Sequence, residues 1–125
     1  MSRRQLHPDS ATPAVVESRR RYQSETLDEV ENAVNTEDVV VIGMGWNPHV
    51  GKARKNLDKA GIAYKYLGYG NYLTGWKPRL AIKLWAGWPT FPQIFVKGTL
   101  VGGNSNLVKA LEDGSFKELL AGPRK

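Results

Sequence analysis

Trp88-Pro89-Thr90-Phe91-Pro92-Gln93-Ile94-Phe95-Val96-Lys97-Gly98-Thr99-Leu100-Val101-Gly102-Gly103 is the stretch whose reading decides the fold. Gln93 to Val96 is a short run rich in β-forming residues, Lys97-Gly98 is a two-residue tight turn, and Thr99, Leu100 and Val101 return, so the segment predicts a β-hairpin. Gly102-Gly103 ends the hairpin and permits the bend that follows it. Asn104 or Ser105 is placed to cap a helix bearing Leu107, Val108 and Leu111, and Ser115 opens a last short helix with Phe116, Leu119 and Leu120.

Working outward towards the N-terminus, Val39-Val40-Val41-Ile42 is an uninterrupted β-branched run, the pattern of a central strand covered on both faces. Asn47-Pro48 after it is a helix start: an Asn cap, then proline at the first helical position, where the missing N–H costs nothing. The helix is expected to run to Gly61 with Val50, Ala53, Leu57 and Ala60 on its buried stripe, and Ile62 to Leu67 reads as a second strand, parallel to the first by the handedness of such crossovers. Gly68 to Trp76 is an aromatic, glycine-rich loop holding Tyr69, Tyr72 and Trp76, followed by a helix with Leu80, Ala81, Leu84 and Trp85. Upstream, Leu27, Val30 and Val34 share a helical face, and Thr26 with Glu29 resembles a capping box, which predicts a first helix over Ser24 to Asn35. The order helix, strand, helix, strand, helix, hairpin, helix gives an α/β sandwich: a four-stranded mixed sheet with helices on both faces.

The chain has 125 residues, 41% hydrophobic and 24% charged, the size and composition of one folded domain. We place that domain at 24–125, behind a flexible basic tail at 1–23 that carries Arg3, Arg4 and the run Arg19, Arg20, Arg21. No apolar stretch approaches the ~20 residues a membrane helix needs, so no membrane partner is expected. Gln5 to Thr12 lacks the apolar segment of a secretory signal, and Asp9 and Glu17 count against a transit peptide, which leaves the cytoplasm as the default location. The absence of cysteine is compatible with any redox compartment. Net charge is +6 over the whole chain, but the tail holds five of the 18 basic and two of the 12 acidic residues. A folded part with 13 basic against 10 acidic residues argues against a nucleic-acid surface.

From Trp88 to Gly103 the sequence resembles, almost word for word, the second half of glutaredoxins, the monothiol class above all. More weakly the resemblance extends from Val39 to about Ala121. It implies the thioredoxin-like (glutaredoxin) fold, a three-layer sandwich. In that family the first strand leads to Cys-Pro-aromatic-Cys, or a single-cysteine variant, at a helix N-terminus. Here those positions hold Asn47, Pro48, His49 and Val50. The family chemistry needs a thiolate stabilised by the helix N–H groups; Asn47 can accept those hydrogen bonds but cannot attack a disulfide. The substitution equally removes the thiolate that monothiol members use to hold an iron–sulfur cluster.

Other family features are present. By resemblance, Phe91 is the residue whose backbone pairs with the cysteine backbone of glutathione, and Pro92 is the family's cis-proline. Gly102, Gly103, Asn104 and Ser105 match the Gly-Gly-Cys-Asp segment that receives the γ-glutamyl end, with N–H groups suited to a carboxylate. Ser105 stands where Asp is usual, and Met44 where dithiol members have a lysine for the glycyl carboxylate; Lys52, Arg79 or Lys83 are the cations that could compensate.

Each of these residues also has a plainer role. Asn47-Pro48 stabilises a helix with no ligand present, and Gly102 and Gly103 serve a bend. His49 could act as a general base near neutral pH, though the expected reading is an exposed residue replacing the family's aromatic. Tyr69, Tyr72, Trp76, Trp85 and Trp88 could line a groove or partner surface or simply pack, and packing is expected for Trp85. The resulting expectation is a module without catalytic residues or metal ligands. It requires no cofactor and binds glutathione or a γ-glutamyl-like small molecule through Asn47, Pro48, His49, Phe91, Pro92, Gly102, Gly103, Asn104 and Ser105. Its rivals are a glutathione-dependent oxidoreductase that borrows an external thiol, and an adaptor whose old active-site face docks a protein partner.

Overall fold

The computed structural model describes residues 13–125, with side chains from Ser24 onward. Residues 1–12, and with them part of the tail expected over 1–23, lie outside the described residues. The first helix, α1, spans Pro13–Thr36, so it starts well before the expected Ser24, and Thr26 lies inside it rather than at its cap. The physical reason is that proline suits a first helical position and no glycine or further proline interrupts the chain before Thr36.

After α1 come β1 (Val39–Gly43), α2 (Pro48–Lys59), β2 (Lys65–Gly68), α3 (Trp76–Ala86), β3 (Gln93–Val96), β4 (Thr99–Gly102), α4 (Asn104–Asp113) and α5 (Ser115–Ala121). The sheet order is β2-β1-β3-β4. β1 and β2 are parallel, with Val40 opposite Lys65; β3 runs antiparallel to β1 and β4 antiparallel to β3. Every residue of β1 is buried, as its apolar run requires. Its side chains alternate. Val40 and Ile42 join Val30, Ala33 and Val34 of α1, Ile82 of α3 and Phe95 in one core layer. Val39 and Val41 join Ala53 and Leu57 of α2, Leu107 and Ala110 of α4, and Phe116 of α5 in the other. The expected α/β three-layer sandwich with a four-stranded mixed sheet is therefore the architecture observed.

Two further boundaries, and the burial of two residues, differ from expectation. α2 ends at Lys59, because Gly61, at φ +71, closes a Schellman motif. Its N–H donates to the Asp58 carbonyl at 3.1 Å, and the Ile62 N–H donates to the Leu57 carbonyl at 3.0 Å. That bond takes Ile62 out of the ladder, so β2 begins at Lys65 instead of Ile62, and Ala60 is exposed instead of on the buried stripe. In α3 the buried residues are Arg79, Ala81 and Ile82, while Leu80 faces solvent. Trp85 packs as expected, its ring 5.7 Å from that of Phe95.

The hairpin turn is as read: Lys97 at φ 46 and Gly98 at φ 87 give the doubly left-handed turn that matches strand twist. The C-terminus locks it. The Lys125 N–H donates to the Lys97 carbonyl at 3.0 Å, and Lys97 Nζ donates to the Gly122 carbonyl at 3.0 Å. Arg124 reaches the Val34 carbonyl at 2.8 Å and pairs with Asp38 at 3.3 Å. Among the described residues no helix is long and apolar enough to cross a membrane.

Candidate functional site

The C-terminal ends of β1 and β4 and the N-terminal end of β3 open on one edge of the sheet, and each delivers a different piece of the site. In open α/β sheets that edge, outside the carboxyl ends of parallel strands, is where ligands bind.

The first piece is the N-terminus of α2. Asn47 is its cap, as expected: the side-chain Oδ1 accepts the N–H groups of His49 at 2.9 Å and Val50 at 3.4 Å. Pro48 is the first helical residue. Asn47 Nδ2 also makes a long, 3.5 Å contact to the Phe91 carbonyl, tying this helix to the next piece. That second piece is the loop before β3, where the Phe91–Pro92 bond is cis and both residues are buried. The third is the N-terminus of α4. Gly102 sits at φ +122, and a Cβ there would stand 2.6 Å from Asn106 Oδ1, so the position demands glycine. Gly103, not Asn104 or Ser105, is the helix cap. Glycine has no side chain to offer, and among the described residues the one side chain that bonds a backbone N–H at this end is Asn106, reaching back to accept the Gly103 N–H at 3.1 Å. The N–H groups of Asn104 and Ser105 thus open α4 with no capping side chain, a positive helix end facing outward.

A groove of about 320 Å³ lies between the three pieces. Of the expected residues, His49, Phe91, Pro92, Gly103, Asn104 and Ser105 line it; Asn47, Pro48 and Gly102 are not on its wall. Asn47 and Gly102 instead shape the backbone behind it. The Asn104 side chain is engaged elsewhere, its Oδ1 accepting from Asn56 Nδ2 of α2 at 3.0 Å, so what Asn104 offers a ligand is its backbone. Trp88, one of the aromatics read as able to line a groove, is on its wall, and Thr90 and Asn106 also line it and were not anticipated. The Gly103-x-x-Asn106 spacing, a capping residue followed three positions later by an amide, was the signal available for Asn106.

The three cations considered as replacements for the lysine missing at Met44 separate. Met44 itself is buried. Arg79 is also buried and is spent inside the fold, donating to the carbonyls of Tyr69 at 2.8 Å and Thr74 at 2.6 Å. Lys52 lies exposed on α2. Lys83 sits with its ammonium 5.7 Å from the centre of the Phe91 ring, which places it beside the groove. Between Val39 and Leu111 the only carboxylate side chain is Asp58, against ten lysines and arginines, while Glu29 of α1 reaches the Tyr69 hydroxyl from outside that stretch.

A larger hollow of about 600 Å³ opens at the other end of the sheet, lined by residues 36–39 and 61–65 with Leu120. It holds none of the converging helix ends, and Asp38 on its wall is already paired with Arg124. Size alone would favour it; the placement of donors favours the groove.

No protein-family model matches the chain. A glutaredoxin-like protein of Dictyostelium discoideum is 47% identical to it over 95 residues, 76% of this chain and 77% of that one. Monothiol glutaredoxin-4 of Schizosaccharomyces pombe is 29% identical over 99 residues, 78% of this chain and 41% of that one. Among solved structures, the buckwheat glutaredoxin–glutathione complex superposes with a TM-score of 0.69 at 21% identity, covering 80% of this chain and 91% of that one. With that 47% identity over most of both chains, the chain belongs to the glutaredoxin family as a glutaredoxin-like member with no cysteine of its own.

Proposed function

We propose that this protein is a non-redox binding module that takes glutathione, or a γ-glutamyl peptide like it, into the groove between α2, the cis-proline loop and α4. One observation carries the reading: the α4 N-terminus presents uncapped N–H groups to a groove at the small end of the range for ligand sites, while the place of the nucleophile is held by an amide. The α-carboxylate of the ligand's γ-glutamyl end would lie on the Asn104 and Ser105 N–H groups, its cysteinyl backbone along Phe91, and its glycyl carboxylate towards Lys83. Ser105 supplies no charge for the ligand ammonium, so affinity is expected to be weaker than a carboxylate at that position would give.

Asn47 does chemical work of a different kind. Its side-chain oxygen satisfies the N–H groups that a thiolate would otherwise use, so the helix start is complete without sulfur. With no thiolate anywhere in the chain, the residues present do not fit an iron–sulfur cluster's ligand set either. The buckwheat glutaredoxin, solved with glutathione, supports the choice of ligand by fold analogy.

The test is calorimetry or NMR titration with glutathione and with S-methylglutathione. Both are expected to bind with similar affinity, since no thiol chemistry is involved, and to shift resonances of Gly103 to Asn106. Absence of any shift at millimolar ligand, or a strict need for the free thiol, would overturn the proposal. An Asn47→Cys variant is expected to gain disulfide reductase activity that the native protein lacks, and its thiol to ionise below the usual ~8.5 because His49 and Val50 N–H groups face it.

A further inference from the structure

None of the nine residues that line the groove carries a carboxylate, and the only one of them that titrates near neutral pH is His49. The wall is equally poor in free acceptors. Its two side-chain amide oxygens are engaged within the protein: Asn104 Oδ1 accepts from Asn56 Nδ2 at 3.0 Å, and Asn106 Oδ1 accepts the Gly103 N–H at 3.1 Å. The hydroxyls of Thr90 and Ser105 are the side-chain acceptors that remain, and neither is charged. Donors, by contrast, are left over. The N–H groups of Asn104 and Ser105 open α4 with no capping side chain, and the indole Nε1 of Trp88 is buried with no partner among the described residues. Gln93 Oε1, the other buried side-chain atom in that position, belongs to a residue off the wall.

The charged groups on the elements that meet at the groove follow the same pattern. On α2, Lys52 comes one turn after His49, while the helix's carboxylate, Asp58, stands more than two turns further along. On α4, Lys109 precedes Glu112 and Asp113 at the end opposite Gly103, and Asp113 accepts the Ser115 N–H at 2.9 Å. From α3, the ammonium of Lys83 lies 5.7 Å from the centre of the Phe91 ring. Glu29 of α1 is bonded to the Tyr69 hydroxyl. A γ-glutamyl end is a zwitterion, its ammonium one carbon away from its α-carboxylate. The groove offers that carboxylate two N–H groups at a positive helix end, and offers the ammonium only hydroxyls and backbone carbonyls. Protonation of His49 adds a further cation on the wall and no opposing group.

We propose that the groove selects purely acidic ligand ends, a carboxylate on a short chain with no ammonium beside it, as in a glutaryl peptide, and that protonated His49 strengthens the preference. The inference rests on the reading of this groove as the peptide site. The experiment is calorimetric titration of the full chain, at pH 5.5 and 7.5, with S-methylglutathione and with S-methylated glutaryl-cysteinylglycine, the same molecule without its α-amino group; the S-methyl group keeps the thiol from titrating. The deaminated peptide is expected to bind about fivefold tighter, the scale of one partly solvated charge contact, and the margin to be wider at pH 5.5. His49→Gln is expected to keep the preference and lose its dependence on pH, while His7→Gln, at the only other histidine of the chain, changes neither. Ser105→Asp, which puts a carboxylate on the wall, is expected to reverse the order. Equal or tighter binding of S-methylglutathione at both pH values would overturn the inference and leave glutathione as the ligand. Binding of the deaminated peptide alone would uphold it and remove glutathione, and binding of neither would overturn both. A pH dependence that His49→Gln retains, or none in the native chain, would overturn the part assigned to His49.

Discussion

Asn47 shows how one side chain decides between two kinds of protein on the same scaffold. Its Oδ1 closes the first turn of α2 through two N–H groups, the contacts that would lower the pKa of a thiol placed there. An Asn47→Ala variant is expected to lose about 1 kcal/mol of stability, the usual worth of an N-cap, read as a lower urea midpoint. The long contact to Phe91 adds little to that figure. This residue's role was legible in sequence because capping depends only on the chain a few positions either side. Gly102 was legible both as a glycine and for the unusual backbone angle it adopts, φ +122; what the sequence did not show is that the Asn106 side chain, four positions on, folds back against it.

At the scale of elements, α3 carries the least expected residue. Arg79 is buried without a carboxylate partner and bonds two carbonyls of the 69–75 loop. Replacing it by Met keeps the apolar stem and removes the donors, so Arg79→Met is expected to cost about 2 kcal/mol, and to speed amide exchange in residues 69–75 more than in β1. Equal acceleration in both would mean that the clamp is not local. Leu80 stands beside Ala81 in the sequence, yet Leu80 is exposed and Arg79 inside, where its guanidinium reaches two carbonyls of the 69–75 loop. The boundary of β2 was missed for a similar reason: Ile62 has the side chain of a strand residue, but its N–H is taken by the α2 cap. The start of α1 at Pro13 lies in the signal available, since nothing between Pro13 and Thr36 breaks a helix; a local capping box near Thr26 outweighed it in the reading.

For the molecule as a whole, pH acts through β2 and the chain that leaves it. Burial pushes the phenol of Tyr66 up and that of Tyr69 further up, the latter helped by its hydrogen bond to Glu29 of α1. In the unfolded chain both ionise near their ordinary value of 10.0, while the fold keeps their protons to higher pH. The stability these groups contribute is therefore complete below pH 10 and is lost as pH rises through and beyond it. Thermal midpoints are expected to fall by a few degrees between pH 9 and 11, less steeply for Tyr69→Phe; equal slopes would remove Tyr69 from the explanation. The order of elements along the chain and the sandwich were readable in advance because apolar runs, capping residues and turn glycines are local signals that all pointed to one architecture. The missing nucleophile was equally plain, since composition alone settles it. What only the tertiary structure decided was which of several similar side chains reach the groove: Lys83 beside it, Arg79 spent beneath a loop, Asn104 turned to Asn56, and five large apolar side chains, Trp46 among them, left in solvent. Those outcomes depend on distances between residues far apart in the chain, and a pattern read along the chain contains no such distances.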